Sequence, residues 1–388
     1  MSQQRRSDRK NVQKNHNRLL PWLVFFSLLL VLATAILVVL IRNHVEASKG
    51  SDYPLGINAV SGFDCDYSEA QRIFPFEEGL LKVTATRVVY MSVSGTEIYS
   101  YDLQMEDPLC AVTESFALVA DQGGFSYACF TNAGMIYSGS VPGKIGYSDV
   151  SAEGYCALII EDENANGSVW VMNALGETIA QWKSVESGFP ISACFSPKST
   201  SISIALVDTD GSDMKPNLKQ IRIPAPSSSE KPYDYAFVSS EDSIILPMIS
   251  YTADDRLFWS GISKVYSLSQ GVLTEVNASF PNIISVTPVA GKAGIFYSEG
   301  IGKQILFGCV DSSLSVSSPI LLGNQLKAKS AYEAKILIAV DDRLMLIDTI
   351  TGTIEKERTV DEDIIRVLLS SNDRVIIVTS SGVREIRF

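Results

Sequence analysis

One stretch of this chain spaces its oxygen side chains as a cation site would. Asp162-x-Asn164-x-Asn166-Gly167 matches the first half of a loop in which alternate side chains wrap a hard cation and glycine allows the sharp turn. The twelfth position is Asn173, so the bidentate glutamate is missing. Calcium at 162–167 is therefore the one cofactor for which the chain offers residues. The competing reading is an ordinary hairpin loop whose Asn and Gly take left-handed conformations. Asp208-x-Asp210-Gly211-x-Asp213 is a weaker version of the same pattern. No residue is assigned a catalytic, cofactor-binding or metal-ligating role.

The absences carry more weight. The two histidines, His16 and His44, both precede residue 50. The remainder of the chain then has no Ser-His-Asp or Cys-His site and no His-ligated metal centre. No nucleophile elbow, phosphate-cradling glycine loop or dinucleotide fingerprint occurs. A pair of carboxylates is all that glycoside hydrolysis needs, and acids are plentiful. A carboxylate- or metal-dependent hydrolase acting on envelope glycans, or a glycan binder, therefore stays open as the alternative to a non-enzymatic binding module.

Cys65, Cys110, Cys129, Cys156, Cys194 and Cys309 contain no Cys-x-x-Cys pair. All but Cys65 fall in strand-forming runs, where a thiol acts as a small buried hydrophobe. The best disulfide candidate by position is Cys110–Cys129. Trp170, Trp182 and Trp259 lie in or beside strands, and packing is expected of them before sugar stacking.

The elements that place these residues follow from hydropathy. Residues 19–41 form an uncharged run of 23 residues. As a helix it would extend about 34 Å, enough for a hydrocarbon core of roughly 30 Å. Residues 1–18 carry six Lys/Arg against Asp8, which keeps that tail cytoplasmic and sends the C-terminal bulk outside. A cleaved signal peptide is the rival, but its apolar region typically runs about 7–15 residues. The expected plan is a basic tail at 1–18, a transmembrane helix at 19–41, a linker at 42–55 and an extracytoplasmic domain at 56–388. Residues 1–49 have net charge +6 and residues 50–388 net charge −18. So acidic an ectodomain disfavours nucleic acid and anionic lipid as ligands, and favours cations, basic proteins or neutral glycans.

Past residue 56 the pattern is all-β. Short Val-, Ile-, Tyr- and Thr-rich runs alternate with Gly, Asn, Asp and Pro. A two-strand unit recurs at 88–103, 117–134, 156–177, 202–224, 256–271, 294–310, 335–352 and 374–388, with most starts near 40 residues apart. A period of about 40–45 residues with four short strands marks a β-propeller. Eight blades are expected. Seven is the alternative, because 224–256 is long and the first blade's outer strand, placed at 103–106, is poor. A first strand precedes each unit, beginning at 80–84, and fourth strands follow at 178–183, 272–276 and 353–359. The last blade lacks its outer strand, and a segment near 56–63 is expected to supply it and close the ring. The tips between second and third strands collect Asp121, Glu161, Asp162, Glu163, Asp208, Asp210, Asp213, Glu299, Asp341 and Asp342. The opposite turns are assigned Arg87, Lys198, Arg256, Lys292, Lys335 and Arg374.

The runs at 79–103, 121–134, 167–182 and 191–213, together with this plan, resemble an uncharacterised family of Gram-positive bacterial membrane proteins. Its members combine one span with an extracytoplasmic propeller and form a domain-of-unknown-function family. More distantly the chain is similar to WD40-like and quinoprotein-type propellers, without the Gly-His and Trp-Asp dipeptides of the first or the tryptophan-docking repeat of the second. The resemblance implies a fold and no activity. The expected function is protein binding or scaffolding at the cell envelope.

Overall fold

The computed structural model describes residues 59–224, 230–240, 243–371 and 373–388. The tail at 1–18, the apolar run at 19–41 and the linker at 42–55 lie outside the described residues. Among the described residues, no helix is long and apolar enough to cross a membrane.

Among the described residues, thirty-two strands assemble into eight four-stranded antiparallel sheets. Seven are built from consecutive strands. They are β2–β5 (Ile73–Phe76, Gly79–Val83, Arg87–Met91, Glu97–Asp102) and β6–β9 (Pro108–Val112, Ala117–Asp121, Ser126–Thr131, Gly134–Ser140). Next come β10–β13 (Ile145–Val150, Cys156–Ile160, Ser168–Met172, Thr178–Lys183) and β14–β17 (Phe189–Phe195, Ser201–Asp208, Lys215–Arg222, Tyr233–Ser239). The fifth and sixth are β18–β21 (Met248–Tyr251, Leu257–Ser260, Val265–Ser269, Val272–Glu275) and β22–β25 (Ile283–Val289, Lys292–Ser298, Ile305–Val310, Ile320–Gly323). The seventh is β26–β29 (Leu326–Tyr332, Lys335–Val340, Arg343–Asp348, Thr353–Thr359). The eighth takes its outer strand from the other end of the chain. β30–β32 (Ile364–Leu369, Arg374–Thr379, Gly382–Arg387) are completed by β1 (Ala59–Asp64).

The fold is thus an eight-bladed β-propeller, and the expected ring closure occurs. β1 pairs antiparallel with β32, Ala59 opposite Ile386 and Asp64 opposite Gly382. Arg384, almost fully buried, locks this seam. Its Nη1 donates to the carbonyl of Phe63 at 2.7 Å and its Nη2 to Asp64 Oδ1 at 2.6 Å. Gly382 is required there. Its φ is +158°, and a Cβ would lie 2.4 Å from the Phe63 carbonyl oxygen.

Eight blades leave no room for the seven-bladed alternative. The long 224–256 stretch contains β17, the outer strand of blade 4, and the start of blade 5. The first blade is shifted by one strand from the sequence expectation. Its innermost strand is β2, so the 80–84 run lies in the second strand and the outer strand is Glu97–Asp102, not 103–106. A single helical turn, α1 (Tyr67–Ala70), precedes it, capped by Asp66, whose carboxylate accepts the N–H of Glu69 at 2.9 Å.

The core is a ring of layers, one between each pair of blades. Middle strands are apolar on both faces because both faces are covered; β7, β11 and the second strand of each neighbour are buried almost throughout. One such layer joins Leu337, Leu344 and Leu346 of blade 7 to Val375 and Ile377 of blade 8. Outer strands such as β29 face solvent along nearly their whole length. Trp259 is fully buried between blades 4 and 5 and donates its indole N–H to the Leu246 carbonyl at 2.7 Å. Trp170 and Trp182 also pack against inter-blade layers.

Candidate functional site

Antiparallel four-stranded blades give the ring two faces. One carries the second-to-third-strand tips and the connections between blades. The other carries the first-to-second and third-to-fourth turns. Ala59, where β1 begins, lies on the turn face, opposite the tips. Arg87 begins the third strand of blade 1, so it lies on the tip face rather than among the opposite turns.

The tip acids divide into two groups. Several are structural. Asp121 is buried and its Oδ1 accepts the N–H groups of Glu106 and Asp107, at 2.8 and 2.9 Å, in the connection that leads into its own blade. Asp341 does the same for Asn324 and Gln325, each at 3.0 Å. Two other blades solve this task with neutral groups or a connecting acid. Ser298 Oγ accepts from Asn282, and Glu362 accepts from the hydroxyls of Thr379 and Ser381. The remaining acids, Glu161, Glu163, Asp210, Asp213, Glu299 and Asp342, are exposed on the tips. Glu106, Asp107, Asp361 and Asp363 on the connections join them on this face, also exposed. A dent of about 340 Å³ lies there, lined by Asp342, Asp361, Glu362, Asp363 and Lys327. Lys327 pairs with Asp363 at 2.5 Å.

The loop at 162–167 is cross-braced by the protein's own cation. Asp162 Oδ2 accepts from Lys183 Nζ at 2.8 Å and from Ser168 Oγ at 2.5 Å, while Oδ1 accepts the Asn164 N–H at 3.0 Å. These bonds, the one from Lys183 foremost, hold the Asp162 carboxyl down at about 2. Asp208 forms a local turn by accepting the Asp210 N–H at 2.9 Å. Among the described residues no group of three or more acidic, Cys or His side chains is arranged to hold a metal.

The cysteines are all free thiols. Cys110 and Cys129 lie on opposite faces of blade 2. Cys129 sits opposite Leu118 and packs toward blade 3, whereas Cys110 sits opposite Val119 and packs toward blade 1. Strand pleating puts successive residues on opposite faces, so no bridge between these two can form. Burial pushes the Cys110 thiol up to about 12.

The second feature is the central channel, and its residues were missed in the sequence. A cavity of about 1070 Å³ is lined by the innermost strands of blades 7, 8, 1 and 2. Glu77, Glu78, Glu114 and Arg374 line its end at the turn face, and Lys327 lines its end toward the tip face. Besides Arg374 at the turn-face end and Lys327, which Asp363 holds, two further cations sit in its wall. Arg366 stacks over Phe74, 4.0 Å from the ring centre, and donates to the Ile73 carbonyl at 3.2 Å. Lys329 donates to the Val286 carbonyl at 3.2 Å and to Thr287 Oγ1, and lies 5.8 Å from the centre of the Phe296 ring. Burial lowers Lys329 to about 8 and lowers Arg366 as well. Across the ring, Asp149 on the innermost strand of blade 3 is raised by burial to about 7, against the pull of the Val150 and Phe195 N–H groups. The signal was present as charges interrupting apolar strands: Arg366 in IIRVLL and Lys329 in LKAKSAY.

Comparison with known proteins supports the fold and leaves the activity open. The profile of a family of unknown function (DUF5711) matches residues 56–297. No curated protein matches the chain. Sqt1 of Saccharomyces cerevisiae has a similar structure at 12% identity, covering 86% of this chain and 100% of that one, with a TM-score of 0.58. BamB from Moraxella catarrhalis is similar at 9% identity, with the same coverage and a TM-score of 0.53. AztD from Citrobacter koseri is similar at 9% identity, covering 75% and 86%, with a TM-score of 0.52. At such identities the likeness is one of fold.

Proposed function

The chain belongs to the DUF5711 family of unknown function, and from that premise we propose that it is a membrane-anchored binding or scaffold module whose tip face engages a basic protein partner at the cell envelope. The observation that carries this reading is the set of exposed acids on one rigid face, contributed by blades 3, 4, 6 and 7 and their connections. Propellers bind by presenting loops from several blades together. The apolar run at 19–41 supplies the anchor. β1 begins on the turn face, opposite the acidic tips. The absence of histidine after His44 supports a binder rather than a catalyst.

The test is capture of a partner from solubilised envelope by the full chain, with Asp208, Asp210 and Asp213 changed together to Lys. We expect at least a tenfold loss of capture, and a wild-type interaction that weakens as salt rises. Undiminished capture by the triple variant would sink the tip-face reading. Calcium is expected to leave capture unchanged, because Lys183 already neutralises Asp162. A calcium requirement would restore the 162–167 loop as a metal site.

A further inference from the structure

We propose that the central channel is a binding site for a small organic oxyanion, a carboxylate or phosphate joined to an apolar or aromatic body. The proposal is independent of the tip-face reading and concerns the channel through the ring.

The cavity, about 1070 Å³, is of the size that takes a small molecule. Its wall holds Lys329 and Arg366, and neither makes an ion pair with a carboxylate among the described residues. Both are half-buried, and a cation partly withdrawn from water without a counter-charge costs stability unless something supplies the missing charge. Lys329 has three N–H bonds and Arg366 five. Their partners here are two carbonyls, one hydroxyl and the faces of Phe74 and Phe296, which leaves donors for an oxyanion. Phe74, Pro75, Tyr332 and Leu368 line the same cavity and suit an apolar body.

The mouth narrows the choice of ligand. Glu77, Glu78 and Glu114 stand there. They would repel a nucleic acid or an acidic protein, while a ligand with one anionic group passes to the cations inside. Arg374, also at the mouth, is already held by Glu385 at 3.0 Å. The acidic mouth turns away polyanions, and the cations of the wall hold a ligand that carries a single anionic group.

The experiment is calorimetric titration of the purified full chain with benzoate, with phenyl phosphate, and with neutral benzyl alcohol as the matched control. Saturable binding of at least one anion, at least tenfold tighter than benzyl alcohol, is expected. Benzoate against phenyl phosphate separates a carboxylate site from a phosphate site. Lys329→Gln and Arg366→Gln should each weaken the anion at least tenfold, and Lys303→Gln, on an exposed tip, should not. If Arg366→Gln fails to fold, as judged by circular dichroism, Arg366→Lys replaces it and Lys329→Gln carries the result. Equal binding of benzyl alcohol, no saturable binding of either anion, or full affinity in folded Lys329→Gln would each overturn the proposal.

Discussion

Burial of Lys329 is expected to cost the ring stability. Its folded-state value, about 8, lies below the 10.5 of an open lysine because burial disfavours the ammonium. Between those two values the unfolded chain binds the proton more readily than the folded one, so stability rises with pH across that window. Below pH 8 both states are protonated and the full penalty applies. Lys329→Met should therefore raise the urea midpoint at pH 7, by about 2 kcal/mol in stability, with the gain fading from pH 8 to 10.5. Denaturation curves at pH 7 and pH 10.5 check this; equal gains at both would show that packing, not charge, is responsible. A residue that weakens the fold in this way was visible in the sequence as a charge within a strand-forming run. What the sequence left open was which side of the strand faced the channel. A period of two defines two faces, and only the closed ring decides which of them points inward.

At the scale of elements, the seam between β1 and β32 is where one change should do most damage. Gly382→Val drives a side chain into the Phe63 carbonyl and imposes a backbone conformation that valine rarely adopts. Arg384→Met removes the donors to Phe63 and Asp64 while keeping most of the volume. We expect about 3 kcal/mol of destabilisation from Arg384→Met and more from Gly382→Val, read from urea midpoints. Retention of the wild-type midpoint in both would mean that the seam contributes little. This closure was legible because β1 was the only run left to complete the eighth blade. The first blade was not, and the reason is Pro75. Ile73-Phe-Pro-Phe carries a proline, which argues against a central strand. In the ring, β2 is an innermost strand with one side unpaired, where proline loses nothing. Pro108, Pro190 and Pro288 occupy innermost strands in the same way. The tip acids were placed on the correct face by blade spacing alone. That Asp121 and Asp341 serve their own blades could not be read, since it depends on N–H groups brought to them by the connection before the blade.

For the molecule as a whole, stability is distributed over eight inter-blade layers, so no single core residue governs it and the weak point is any opened edge. Deleting β1 would expose the edge of β32 and leave blade 8 three-stranded. An unpaired edge recruits another chain. Light scattering after size exclusion should show the variant lacking residues 59–64 shifted to larger species than wild type, and an unchanged mass distribution would refute this. The same seam dictates an order of events on the ribosome. Phe63 and Arg384, which meet in the finished ring, are 321 residues apart. At roughly 5–20 residues per second, the strand made first waits on the order of tens of seconds for its partner. Throughout that interval β1 is an unclaimed template, and the cell must either shield it or complete the chain before something else pairs with it.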